Sequence, residues 1–388
     1  MALVALAGAL SCGTEPTASE SGVHERWHQP QTGYGHARPV VVGDLVYFGT
    51  GDGRVVARDV ATGTVRWSTR VGVEAIEGAN FVAREGVVAV ALVHYTVGLD
   101  AATGRELWHY EAPLDTVDAG SHPAPGQVVR AHLDIDTDAV YIPAWGASVS
   151  SVDLHTGAPR WVWQSGRAPT DTAVAGIFRS GSMGVRVSGD TVFATVWHNL
   201  VETGALSESW LVALDRTTGR ELWRVVLPTA GQAVSTSDAP VVADNLVIAT
   251  AGSRGEAFAV DRITRQVVWQ LVTPERRLTP SAGPEVYGGI AYLDGGDSHI
   301  YALRASDGTV LWRAPFRTQT MVDLLVTERR VIFSTGAYLY VLDRQTGQQL
   351  VEITQPRTDE PLFSSPAAYA NGRVFVTLNG AAWSFDEP

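Results

Sequence analysis

One unit recurs along this chain and constrains the fold more than any other feature: an aspartate, a Thr-Gly turn and, a few residues on, a tryptophan. The first complete copy runs through Val46-Tyr47-Phe48-Gly49, a Gly51-Asp52-Gly53 turn and Arg54 to Asp59, then Thr62-Gly63 and a strand reaching Trp67. Further copies lead from Asp100 to Trp108, from Asp153 to Trp161, from Asp215 to Trp223 and from Asp261 to Trp269. Three later copies are worn: Arg304 replaces the aspartate before Gly308 and Trp312, Asp343 leads to Val351 where tryptophan is expected, and the last copy stops at Phe385-Asp386. Each part of the unit has a physical reason. A tight hairpin needs a residue at positive φ, which glycine adopts without a Cβ clash, and an aspartate can accept hydrogen bonds from the turn backbone.

Successive turns start 41, 53, 62, 46, 43, 39 and 43 residues apart. A repeat of roughly 40–50 residues, built of short alternating strands, is the length of one four-stranded propeller blade. No long segment with a 3.6-residue period competes. The final copy lacks an outer strand, whereas the N-terminus offers an orphan one, Val23-His24-Glu25-Arg26-Trp27. Pairing the two would close a ring and remove two sheet edges. The outer strands then end at Trp27, Trp67, Trp108, Trp161, Trp223, Trp269, Trp312 and Val351, which predicts an all-β, eight-bladed β-propeller over residues 23–388.

The Asp-x-x-Thr-Gly-x-x-x-Trp unit resembles the tryptophan-docking motif of pyrroloquinoline-quinone (PQQ)-like propeller repeats. The resemblance implies that Trp27, Trp67, Trp108, Trp161, Trp223, Trp269 and Trp312 are structural, each packing on the neighbouring blade. It also raises the reading of a PQQ-dependent dehydrogenase. Those enzymes commonly carry a vicinal cysteine pair, Ca²⁺ ligands and long insertions, whereas this chain has one cysteine and 388 residues. The expectation is therefore a non-enzyme that uses no cofactor.

Composition narrows the function further. The net charge of −12 disfavours nucleic acid as a partner. All basic residues are arginine, so lysine Schiff-base chemistry and a P-loop lysine are excluded. The lone Cys12 excludes a disulfide, a Cys-x-x-Cys pair and a thiolate zinc site. It follows an apolar stretch from Ala2 to Leu10 and the small residue Ser11, and the run Ala9-Leu10-Ser11-Cys12 resembles the lipobox of bacterial lipoproteins. The expectation is a signal peptide over 1–11, acylation of Cys12 and a polar tether over 12–22, with the lipid as the only membrane attachment.

Other chemistry finds little support. Asp134-Ile135-Asp136-Thr137-Asp138 looks like the start of a calcium loop, but Ala139 and Trp145 stand where its glycine and glutamate belong. No His-Glu-x-x-His or Gly-x-Ser-x-Gly occurs. Carboxylates meeting across the central channel are left open by sequence.

The two longest intervals mark insertions at 111–130 and across Gln164 to Ser182, with a hairpin extension from Trp197 to Trp210. Trp145, Trp163, Trp197 and Trp210 lie off the docking register, so Trp197 and Trp210 are candidate partner contacts beside a carbohydrate- or small-ligand-binding alternative. Among exported eight-bladed lipoproteins the chain resembles the BamB-type subunit of the outer-membrane β-barrel assembly machinery. That resemblance implies a periplasmic scaffold with a protein partner in the cell envelope. The family's apolar–arginine contact pair falls on Phe178-Arg179, whereas its acidic pair falls on Ser235 and Ser237, ahead of Pro240.

Overall fold

The computed structural model describes residues 23–32, 37–73, 76, 81–92, 95–112, 132–144, 147–165, 180–198, 208–229, 239–251, 256–273, 283–317, 324–335, 338–354, 365–378 and 380–388. These form eight four-stranded antiparallel sheets in a ring. Blades 1 to 7 occupy residues 40–70, 81–110, 134–164, 180–227, 241–272, 285–315 and 325–354. Each takes four successive strands from the axis outward, and the first strands of neighbouring blades lie side by side around the centre.

Blade 8 is the exception, and it closes the ring. Its three inner strands span residues 368–386, and the fourth is Glu25–Pro30, paired antiparallel with Ala381–Asp386. The seam is held further by Arg26 Nε to Asp386 Oδ1 at 2.8 Å and by the Asp386 amide to the His24 carbonyl. The C-terminus is tied back to blade 7 through Arg329 and Glu387, 3.0 Å apart.

The hairpin aspartates do what their chemistry suggests. Oδ1 of Asp59, Asp100, Asp153, Asp215 and Asp343 accepts two backbone amides and a threonine hydroxyl from its own turn, and Asp261 accepts two amides. The turn glycines Gly63, Gly104, Gly157, Gly219, Gly308 and Gly347 all sit near φ +70°. In blade 5 the same place is held by Arg265 at φ 62°, a left-handed conformation that costs a residue with a Cβ roughly 1–2 kcal/mol.

These turns are platforms for the tryptophans. The indole N–H of Trp27, Trp67, Trp108, Trp161, Trp269 and Trp312 donates to the carbonyl of Val60, Ala101, Leu154, Arg216, Ala305 and Arg344, at 2.8–3.1 Å. Each acceptor belongs to the next blade around the ring. The ring lies on that blade's turn glycine, so a Cβ added at Gly157 would stand 2.7 Å from Trp108. A buried aromatic on the second strand backs the indole from within the same blade, as in Tyr47–Trp67, Tyr141–Trp161, Phe193–Trp223 and Tyr292–Trp312, with centroids 5.7–6.1 Å apart. Tyr47 doubles the link, because its hydroxyl donates to the same Ala101 carbonyl as Trp67.

Two outcomes follow. Trp108 is 6% exposed, and Trp108→Ala removes both its buried area and its hydrogen bond, so urea denaturation should show a loss of about 3–5 kcal/mol. The turn aspartates all lie below the ordinary carboxylate range. The Arg160 guanidinium, then the Thr156 hydroxyl and amide, hold Asp153 at about 2. A carboxylate depressed by folding contributes stability that is fully present above its unfolded value, near 4, and is lost as pH falls through the folded value. The melting temperature should therefore be level between pH 7 and 5 and fall from pH 4 to 2. Asp153→Asn should melt below the parent at pH 7 and converge with it near pH 2.

Candidate interaction surface and central channel

In each blade the first strand starts at the end of the axis where chain enters from the preceding blade, so residues at those starts ring one mouth of the channel. Arg38, just ahead of blade 1, reaches across this mouth. Its Nη1 lies 3.4 Å from Glu285 Oε1 of blade 6, and its Nη2 donates to the Leu324 carbonyl at the entry to blade 7, at 2.8 Å. On the blade 3–4 side, Asp134 accepts the amides of Ile135 and Val187, and Arg186 Nη1 approaches it to 4.0 Å. Burial pushes the Asp134 carboxyl up, against the opposing pull of Arg186. Among the described residues, Glu285 and Asp134 at this mouth are each matched to a separate arginine rather than to one another.

Asp134 and Asp136, which a calcium loop would aim at one ion, point to different tasks. Asp136 accepts the Tyr141 hydroxyl at 2.7 Å and Arg216 Nη1 of blade 4 at 2.9 Å. Burial raises its carboxyl, but the Tyr141 hydroxyl and the Asp138 and Ala139 amides outweigh burial and hold it at about 2. Among the described residues no group of three or more His, Cys, Asp or Glu side chains is placed to hold a metal ion.

Blade 4 accounts for the longest interval in the repeat. Its inner strands, Ser180–Ser188, Thr191–His198 and Glu208–Asp215, are longer than their counterparts, and the extra length carries Trp197 and Trp210. Both are covered, at 6% and 4% exposure. Trp210 donates to Glu208 Oε2 at 3.2 Å and lies under the Arg224 guanidinium, 4.5 Å from its ring centroid. Arg224 also donates to Glu221 and to the Ser165 carbonyl of blade 3, while Trp163 donates to Glu221 Oε2. This knot of Trp163, Trp210, Glu221 and Arg224 locks the blade 3–4 seam where one chain segment leaves at Ser165 and returns at Ser180.

Phe178 and Arg179 belong to that segment and lie outside the described residues, as do Cys12, Trp145, Ser235 and Ser237 and most of the 111–130 insertion. What the structure supplies is the anchorage of the segment's two ends. Sequence reasoning missed Arg38, Glu285 and Arg224. Arg38 and Glu285 are 247 positions apart, and no local pattern marks either.

Arg38→Met and Glu285→Gln should each lower stability modestly, and a double-mutant cycle should return a coupling of about 0.5–1 kcal/mol.

Comparison with known proteins places these features in context. The family described as "Outer membrane protein assembly factor BamB" matches residues 18–205 and 207–386. Among curated proteins, the serine/threonine-protein kinase AfsK of Streptomyces griseus is 32% identical over 129 residues, 32% of this chain and 15% of that protein. The outer membrane protein assembly factor BamB of Nitrosomonas eutropha is 31% identical over 163 residues, 40% of this chain and 37% of that protein. The match thus spans well under half of either relative. Among solved structures, BamB from Moraxella catarrhalis superposes with a TM-score of 0.58 at 18% identity, covering 92% of this chain and 85% of that one. A europium-containing methanol dehydrogenase superposes with a TM-score of 0.70 at 13% identity, covering 94% and 86%. At such identities the structural likeness shows the fold alone.

Proposed function

The chain belongs to the family described as outer membrane protein assembly factor BamB, and from that membership we propose that it is a non-catalytic propeller scaffold which holds protein partners in the cell envelope, with outer-membrane β-barrel assembly as the setting. The carrying observation is the family match itself, which runs across nearly the whole ring. The N-terminal region completes the reading: a signal peptide over 1–11, a lipid on Cys12 and a tether over 12–22 would hold the propeller at the periplasmic face of the outer membrane.

The partner contact is assigned to Phe178 and Arg179. The arginine-capped tryptophan knot beside Ser165 supports this choice, because a contact loop is most effective when a rigid seam fixes its ends. Trp210 is part of that rigid footing, and Trp197 lies covered on the neighbouring strand of the same blade. Arginine and an aromatic together are the residue types that most often dominate binding energy at protein interfaces.

A photo-crosslinking residue placed at position 178 of the full chain, expressed in its own host cells, should capture a subunit of the barrel-assembly machinery. Arg179→Glu should cut that capture about tenfold by inverting the contact charge. Recovery of no such subunit above a control site on blade 7 would overturn the assignment.

A further inference from the structure

The outermost strand of a propeller blade has an open edge, and natural sheets blunt such edges with charge or proline. Seven of the eight outer strands here obey. Val65–Arg70, Glu106–Tyr110, Pro159–Gln164, Glu221–Leu227, Val310–Pro315, Gln349–Thr354 and Glu25–Pro30 each carry an arginine or glutamate, and three of them also carry a proline. The outer strand of blade 5, Val267–Val272, reads Val-Val-Trp-Gln-Leu-Val and carries neither. Its alternation sends Trp269 inward, while Val268 and Val272 are exposed at 48% and 37%. A bulge at Val268 leaves Trp269 to Val272 as a straight run for pairing.

The turn leading into this strand is equally unlike the others. Ile263 is 67% exposed, and Arg262 and Arg265 have no carboxylate within ion-pair distance among the described residues. Of the arginines at the place of Arg262 in other blades, Arg216 is paired with Asp136, whereas Arg344 donates to the Glu328 carbonyl and the Tyr292 hydroxyl. Asp261 is engaged with its own turn amides. Arg262 and Arg265 thus stand beside an uncharged apolar edge, with Asp261 held by its own turn, and can meet a carboxylate brought by a partner.

We propose that the outer edge of blade 5 is a second docking surface, which takes an extended segment of another protein as an added antiparallel strand. The segment carries β-branched residues over Val268 and Val272 and carboxylates at its C-terminal end, where antiparallel pairing brings it to Arg262 and Arg265. Main-chain hydrogen bonds along Trp269 to Val272 supply the affinity, and the arginines set direction and register. This rests on the scaffold reading but not on barrel assembly as its setting.

The probe is a fluorescein-labelled peptide, Thr-Val-Thr-Val-Thr-Glu-Glu, titrated into the full chain by anisotropy. Saturable binding is expected. It should weaken at least tenfold when lysines replace the two glutamates and be abolished by N-methylation of alternate backbone amides. Val272→Arg and Arg265→Glu should each weaken it at least fivefold without moving the melting temperature by more than a degree or two; Arg265→Asn should weaken it too, which separates charge from turn geometry. Absence of binding, or equal binding of the glutamate and lysine peptides, would sink the proposal. So would sedimentation showing that the chain dimerises through this edge, with Val272→Arg restoring the monomer, because the occupant would then be a second copy. The crosslink at position 178 is read independently, so failure here leaves the barrel-assembly assignment standing, and the converse also holds.

Discussion

The indole N–H reaching from one blade to a backbone carbonyl on the next is the interaction on which this molecule depends. A single blade has two faces to bury and cannot do so alone. The tryptophan supplies area, and its one donor supplies direction, so that the neighbour is fixed in rotation as well as in contact. The receiving turn must present a carbonyl and a surface with no Cβ. Glycine at positive φ provides the bare surface, the residue after the turn aspartate, such as Val60, Ala101 or Leu154, provides the carbonyl, and the aspartate keeps that geometry by holding the amides. Three residue types thus form one joint, repeated around the ring.

The exception at Val351 fits the same logic. Its neighbour is blade 8, whose outer strand, Glu25–Pro30, is not continuous with its three inner ones. With no Thr-Gly platform to dock on, an indole there would have no partner, and Val351 instead packs with Val23, Ile332, Leu339 and Phe385. The missing tryptophan and the missing turn are two sides of the same seam.

The ring was readable from the sequence because each residue of the joint has a narrow set of conformations or partners, and the spacing of the joints gives the blade length directly. The orphan strand was readable because ring closure has only one place for it. The candidate site was much less legible. Arg38 and Glu285 meet only because the ring brings blades 1, 6 and 7 to one mouth, and nothing near either residue in the chain says so. Trp197 and Trp210 looked surplus to the docking pattern and so available for a partner, whereas the longer strands of blade 4 need large side chains to cover their own extra length. The second-strand aromatics were visible as apolar letters, but their role as backing for the indoles depends on strand register, which sets a small residue such as Ala57 or Ser151 between ring and indole in one row of the sheet.

Closing the last sheet with the first strand has a temporal side. Glu25 to Pro30 leaves the ribosome before the other strands of the ring and then waits for Ala381 to Asp386, its pairing partner, the ring's last strand to be made. Until then blades 1 to 7 form an open arc with a raw edge at both ends, and such edges are the parts of a nascent chain most open to misassociation. A ring fastened in this way cannot complete itself while any of its length is still being synthesised or threaded through a translocation pore, so its final cooperativity arrives in one step, with the strand Ala381–Asp386.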